Sequence, residues 1–354
     1  MLRFLLLPFQ WLFILTSSIR KSLYLSGILK RHTYPVPVIC FGNLSMGGSG
    51  KTPHVKHMAL LLRQEGFQVA ILLRGYKRKS RGIVLCSSDH SVKDIGDEAF
   101  EYVHSLPNDI PIVVARNRHK GILFLLQQFP QVDVILMDDG YQHFRVKAHR
   151  YVLLTDFFHP YFRDHVLPVG TLREPKSARK RADFIIVSKT PKILSPLLKE
   201  DFMKKLKPFP HQQVFFSYYQ NIELVPLYDQ SYSSDRPYAI YLITGIQNPG
   251  PIEEVLQKKC FQLKPYLFPD HHNFKKKEIE KFLYDFERDL VSNKIIVTTE
   301  KDVPRLLEGS EKMLKKYPIF VIKSYIAFHK TSEEAFEQKI IDYVRKNCRN
   351  EKVH

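Results

Sequence analysis

The run VPVICFGNLSMGGSGKTP, residues 36–53, decides how this chain reads. Val36–Phe41 is apolar without polar alternation, as in a strand covered on both faces, and Thr52–Gln64 carries a helical pattern. Between them lie Ser45, Met46, Gly47, Gly48, Ser49, Gly50, Lys51 and Thr52, a glycine-rich loop set between strand and helix, as a phosphate-binding loop requires. Glycines at 47, 48 and 50 let backbone N–H groups turn inward around phosphate oxygens, and the helix N-terminus adds partial positive charge. Lys51 would then reach the β- and γ-phosphates of ATP, and Thr52 would place its hydroxyl on Mg²⁺. The usual pattern G-x-x-x-x-G-K-[ST] begins with glycine where this chain has Ser45. A glycine-rich turn with a surface lysine is the plain alternative.

A second half of a nucleotide site follows. The apolar run Val132–Met137 leads into Asp138, Asp139 and Gly140. At the carboxyl end of a strand one acid can hold Mg²⁺ or its water while the next points elsewhere, because successive side chains alternate. An acidic turn is the simpler alternative.

Outward from these two segments, Gln68–Leu73, Ile110–Ala115, Arg150–Leu154 and Phe184–Val187 are further strand-like runs, with a helix at Asp97–Ser105. The pattern predicts an α/β fold with a mostly parallel, P-loop NTPase-like sheet. Aromatic and β-branched residues across 211–236 suggest a strand pair or linker. A second α/β unit is expected beyond it: strand Tyr238–Thr244, helix Ile252–Lys259, a loop through Pro269, helix Lys276–Leu290 and strand Lys294–Thr298. The expected organisation is 1–30 as an interfacial membrane anchor, 31–210 as the core, 211–236 as the connection and 237–354 as a smaller α/β domain.

Composition narrows the classes. With 354 residues, 44% hydrophobic and 25% charged, the chain is too long for a disulfide-stapled mini-protein and too ordinary for bulk disorder or many membrane spans. Lysine and arginine number 54 against 36 acids, and the resulting +18 favours polyanions or anionic lipid surfaces. Cys40, Cys86, Cys260 and Cys348 form no CxxC pair, so reduced thiols and a cytosolic body are expected. RNP, zinc and helix-turn-helix signatures are missing, which argues against a nucleic-acid partner.

Near the amino terminus FLLLPFQWLFIL, residues 4–15, contains the sole tryptophan, Trp11, and is followed by Arg20, Lys21, Lys30 and Arg31. As a helix this run is roughly 18 Å long, too short for a hydrocarbon core of about 30 Å. It suits a monotopic anchor whose cations meet lipid phosphates. A cleaved signal peptide, which lacks a good A-x-A site here, and a buried core helix are the other readings.

The string from Gly42 to Pro53 closely resembles the P-loop of the tetraacyldisaccharide 4′-kinases, the lipid A 4′-kinases of Gram-negative bacteria. The segments Arg74-Gly75-Tyr76, Gly96-Asp97-Glu98, Asp138 through His143, Gly170 through Pro175, Asp270-His271-His272 and Thr299 through Asp302 resemble other motifs of that family in order, across nearly the whole chain. The resemblance implies ATP-dependent phosphorylation of the 4′-hydroxyl of a tetraacyldisaccharide 1-phosphate, giving lipid IVA, at the cytosolic face of the inner membrane. The anchor and the +18 charge point to anionic inner-membrane lipids as partners beside the lipid disaccharide, and no obligate protein partner is inferred. The resemblance also implies Asp97 as the base, paired with His271, and leaves open whether His271 or His272 faces the site. Arg173 resembles the family arginine that neutralises the transferred phosphate, and Asp139 falls in a motif with a catalytic contribution.

Mg²⁺ prefers oxygen ligands and keeps several waters, so Thr52, Asp138 and Glu174 are the expected ligands. Arg74, Lys77 and Arg78, with Lys79 and Arg81, follow a strand's carboxyl end and are candidates for the lipid's 1-phosphate; a solvated basic loop explains them as well. For Thr299–Asp302 the resemblance implies a nucleotide-base contact or closure over ATP, and an ordinary strand-to-helix turn with a capping aspartate explains it as well. One rival is a membrane-associated partitioning or septum-positioning ATPase, whose signature lysine would stand where this chain has Met46. The other is a basic binding protein with a vestigial P-loop.

Overall fold

A computed structural model describes residues 6–76, 78–228, 237–246, 249–270, 272–329 and 333–348. The chain divides into two units, Met1–Gln220 with Ile326–His354, and Asn221–Tyr325.

The first unit begins with helix α1, Leu7–Leu25, which tolerates Pro8 in its first turn because the missing N–H has no partner there. Phe13 and Ile14 pack against a core cluster and Tyr24 is buried. Leu12, Leu15 and Ile19, with Phe9 and Trp11, stand exposed at the spacing of one helix face. Among the described residues no helix is long and apolar enough to cross a membrane.

After α1 come β1 (Val38–Asn43), α2 (Lys51–Gln64), β2 (Val69–Leu73), β3 (Ile83–Leu85), the short α3 (Val92–Ile95), α4 (Asp97–Ser105), β4 (Ile112–Ala115), α5 (Arg118–Gln128), β5 (Val134–Met137), β6 (Arg150–Asp156), β7 (Phe184–Ser188), α6 (Pro196–Leu206) and β8 (Gln213–Pro226). Strand order is β8-β7-β6-β1-β5-β2-β4-β3, parallel except where β3 pairs antiparallel with β4. Every residue of β1 is buried, with Ile39 and Phe41 in one core cluster and Cys40 and Val38 in another. That two-sided burial is why the run carries no polar alternation. After β5 the chain crosses to the other side of β1, so the loops leaving β1, β5 and β6 gather at the reversal of strand order, where open α/β sheets bind ligands.

In the second unit β9 (Ala239–Thr244), α7 (Gly250–Gln257), β10 (Gln262–Leu267), α8 (Lys276–Arg288), β11 (Lys294–Thr299), α9 (Val303–Leu307), α10 (Glu311–Leu314) and β12 (Ile319–Phe328) form a parallel sheet in the order β10-β9-β11-β12. The carboxylate of Asp302, fully buried, accepts hydrogen bonds from Thr244 Oγ1 at 2.6 Å and Thr299 Oγ1 at 2.7 Å, tying together the ends of β9 and β11. That gives the Thr299–Asp302 segment a structural task.

Two boundaries differ from expectation. Residues 213–226 form one strand, whose start pairs with β7, in place of a strand pair; 229–236 lie outside the described residues. The second unit ends at Tyr325, and helix α11 (Glu333–Asn347) returns to the first. Phe328, Phe336, Ile340 and Val344 are buried in the same cluster as Val55, Met58 and Leu62, and His57 Nε2 lies 2.5 Å from Glu337 Oε1. Such contacts link positions some 280 residues apart, beyond the reach of local periodicity. Cys40, Cys86, Cys260 and Cys348 are free thiols, as expected.

Candidate active site

The loop after β1 is shaped by its glycines. Gly47 and Gly50 have φ of +116° and +77°, conformations that L side chains rarely adopt. Ser45 needs no such freedom, because it pairs as an isolated bridge with Leu172 and is not among the positive-φ residues. Neighbours fix the rest: Met46 N–H donates to Thr171 O at 2.8 Å, Asn43 Nδ2 to Gly47 O at 3.3 Å, and the buried Ser188 hydroxyl at the end of β7 to Ser49 O at 2.8 Å. Gly42 sits where a Cβ would lie 2.4 Å from Tyr141 Cβ, so any side chain there would push β1 off the segment that follows β5.

Against this loop stands the acidic end of β5. Thr52 Oγ1 lies 3.4 Å from Asp138 Oδ2, which also accepts the Tyr102 hydroxyl at 2.8 Å. Burial pushes the Asp138 carboxyl up, and its Oδ1 is buried with no hydrogen-bond partner. An unpartnered carboxylate oxygen beside a threonine hydroxyl is the donor set of a hard cation that retains waters and phosphate oxygens, so Thr52 and Asp138 fit Mg²⁺.

Asp139, at φ +48°, turns the other way. Its carboxylate accepts Arg173 Nη1 at 2.8 Å and lies 3.4 Å from Lys51 Nζ. Although burial opposes it, the charges of Lys51 and Arg173 hold its pKa down at about 2. Lys51, Asp139 and Arg173 thus form an alternating row of charges across the loop.

Glu174 departs from its expected part as a metal ligand. Its two oxygens take Arg181 Nη2 at 2.5 Å and Nη1 at 2.9 Å, and Gln142 Nε2 adds a bond at 3.1 Å. The bidentate guanidinium ties each oxygen of Glu174 to a fixed counter-charge and turns the carboxylate to a structural task, and Gln142 also bonds Asn43 O at 3.0 Å. Glu174 therefore braces the segment after β5 against the P-loop strand.

Asp97 opens α4 directly after Gly96, whose φ of +89° turns the chain and whose Cβ would lie 2.7 Å from Tyr76 O. Glu98 beside it was not singled out by sequence reasoning. It feels the charges of Asp138, Asp139 and Lys51, and burial together with the two aspartates raises its pKa to about 7. The adjacent acids in the Gly96-Asp97-Glu98 string were the available signal. His271, the expected partner of Asp97, lies outside the described residues, as does Lys77. His272 bonds Glu278 Oε2 at 2.9 Å within the second unit.

Of the basic residues after β2, Arg74 is exposed, whereas Arg78 is buried and folded into its own loop, donating to Gly82 O and Ser80 Oγ. Arg78 is thereby corrected from a substrate contact to a loop brace. The structure brings in residues that pattern did not: Arg118, only 1% exposed at the start of α5, keeps Nε and Nη2 without partners. Burial first, then the charges of Arg118, Arg74 and Arg20, pushes the His143 pKa down to about 3. The unpartnered donors of Arg118 and the positive charges of Arg74 and Arg20, all felt at the neutral His143, make this a region of positive potential suited to an anion.

Below the loop, His54 of α2 is buried, with Nδ1 2.6 Å from Gly50 O and Nε2 2.8 Å from the Ser217 hydroxyl. Burial lowers its pKa from 6.5 to about 4. A depressed folded-state pKa contributes stability that is full above about pH 6.5 and is lost as pH falls through 4. The melting temperature should therefore fall more steeply between these pH values in the native protein than in His54→Gln, as differential scanning fluorimetry would read; parallel curves would refute a neutral, buried His54.

A family model described as tetraacyldisaccharide-1-P 4′-kinase matches residues 2–345. Proteins named tetraacyldisaccharide 4′-kinase are similar throughout: that of Bacteroides thetaiotaomicron is 36% identical over 98% of this chain and 94% of its own length, and that of Flavobacterium psychrophilum is 38% identical over 99% of each. A crystal structure of LpxK from Aquifex aeolicus in complex with ATP superposes with a TM-score of 0.73 at 28% identity, covering 98% of this chain and 99% of that one. With its P-loop, its acidic strand end and matches over nearly its full length, the chain belongs to the tetraacyldisaccharide-1-P 4′-kinase family.

Proposed function

We propose that this protein transfers the γ-phosphoryl group of ATP to the 4′-hydroxyl of a tetraacyldisaccharide 1-phosphate, giving lipid IVA in lipid A biosynthesis. The observation that carries the reading is the placement of Lys51 and Thr52 against Asp138 and Asp139 in a chain that matches the kinase family from end to end. The loop amides of Ser45–Thr52 surround the triphosphate, and Lys51 neutralises its β- and γ-oxygens. Thr52 and Asp138 would hold Mg²⁺, which would supply charge neutralisation for the phosphates. Arg173, kept in place by Asp139, faces the negative charge that develops during transfer. Asp97 accepts the proton of the attacking hydroxyl.

The acceptor carries a phosphate of its own, and the positive region of Arg118, Arg74 and Arg20 beside the neutral His143 is the anion site that suits it. Arg74→Ala should raise KM for the lipid about tenfold while KM for ATP stays unchanged, since a charge-assisted hydrogen bond to phosphate contributes about 1.5 kcal/mol or more. An equal rise in both KM values would remove Arg74 from lipid binding. Helix α1, with its exposed apolar face and Arg20, lies in the lipid interface at the cytosolic face of the inner membrane, beside anionic headgroups.

The deciding experiment is transfer of labelled γ-phosphate from Mg²⁺-ATP to purified disaccharide 1-phosphate lipid in mixed micelles. Label at the 4′-position is the expected result. ATP hydrolysis independent of the lipid, with no labelled lipid, would overturn the reading in favour of an ATPase.

A further inference from the structure

Large apolar side chains stand exposed on two segments of the first unit, after β6 and after β7, that no part of the catalytic reading uses. Phe158, after β6, is 57% exposed; Ile193, in the loop after β7, and Leu197, in the first turn of α6, are 90% and 79% exposed. Soluble surfaces tolerate single exposed hydrophobes, whereas clusters mark contact sites. Hydrogen bonding fixes the loops in this display. Asp156 Oδ1 accepts the N–H groups of Phe158 at 2.8 Å and His159 at 3.1 Å, and Asp156 Oδ2 pairs with Lys189 Nζ at 2.9 Å, joining one loop to the other.

Three observations point to a lipid surface as the occupant. Strands β1, β6 and β7 are parallel neighbours, so both loops leave the same sheet edge as the P-loop, and Ser188 touches that loop directly. Phe157 and Leu194, the neighbours of Phe158 and Ile193, pack on the same core cluster as Phe13 and Ile14 of α1, so the anchor helix and both segments are seated on one cluster. Residues 189–207 carry six lysines against two acids, and Lys192, His159 and Arg163 are exposed on the same segments as the apolar residues, a basic balance complementary to anionic headgroups.

We propose that the loop after β6 and the segment from β7 into the first turn of α6 form a second membrane-docking patch, which sets Phe158, Ile193 and Leu197 into an anionic bilayer surface beside α1. The proposal rests on the reading of α1 as an interfacial anchor. With two contacts the sheet edge bearing the P-loop faces the bilayer, so a sugar hydroxyl can reach ATP while the acyl chains stay in lipid.

Trp11 is the sole tryptophan, so the native protein reports on α1 alone, and Trp11→Phe/Ile193→Trp reports on the patch alone. On phosphatidylglycerol vesicles with brominated acyl chains, the Ile193→Trp probe should shift to the blue and be quenched. Quenching of native Trp11 with no quenching of the Ile193→Trp probe overturns the patch and leaves the anchor standing. The same result accompanied by self-association in sedimentation assigns the patch to a second copy of the chain, which also overturns the proposal. Phe158→Ser/Ile193→Ser/Leu197→Ser should weaken partitioning onto these vesicles by about tenfold or more, with unchanged melting temperature and unchanged kcat on detergent-dispersed lipid. Unchanged partitioning would refute the proposal.

Discussion

Lys51→Ala is expected to lower kcat/KM for phosphoryl transfer by at least about 10²–10³-fold, the cost of removing one charged donor from a developing oxyanion. The ammonium lies at the head of α2, 3.4 Å from Asp139, on a loop whose two left-handed glycines fix where the lysine begins. Its loss leaves the phosphates with Arg173 and the loop amides, and Asp139 keeps its partner at 2.8 Å, so the fold should persist. Steady-state kinetics with a circular-dichroism control checks this. A folded variant with more than about a tenth of native kcat/KM would show that phosphate neutralisation lies elsewhere.

Asp97→Ala should reduce kcat by about 10²–10⁴-fold while calorimetry finds Mg²⁺-ATP affinity little changed, since general-base catalysis acts on the acceptor's proton and not on the nucleotide. Asp97 sits in the first turn of α4, where a carboxylate also favours the helix dipole by about 0.3–1 kcal/mol. Asp97→Asn separates the two contributions: it removes the base but leaves the side-chain shape. If Asp97→Asn kept near-native kcat with only a lower melting temperature, the residue would be a helix-end charge and the base would be sought elsewhere, first at Glu98, whose pKa is raised to about 7.

The elements legible in the chain were those set by local sterics and two-sided burial. A short, Val- and Ile-rich apolar run without alternation, bounded by turn residues, reads as a covered strand. A string with glycines at 47, 48 and 50 before Lys51 can bend its amides inward, and α4 spans Asp97–Ser105 as its pattern predicts. The cluster after β2 shows where such reading ends. Charge pattern put Arg74 and Arg78 in one class, but the fold exposes the first and buries the second against Gly82 and Ser80.

Sequence by itself determined the parallel sheet, the phosphate loop, the acidic end of β5 and the apolar amino-terminal helix, because each depends on residues within a turn or a strand of one another. Only tertiary structure decided that Glu174 belongs to Arg181, that the buried Arg118 joins Arg74 and His143, and that α11 completes the first unit's core. Those outcomes depend on which side chains are desolvated together, and desolvation is a property of the packed chain, which no short stretch of residues contains.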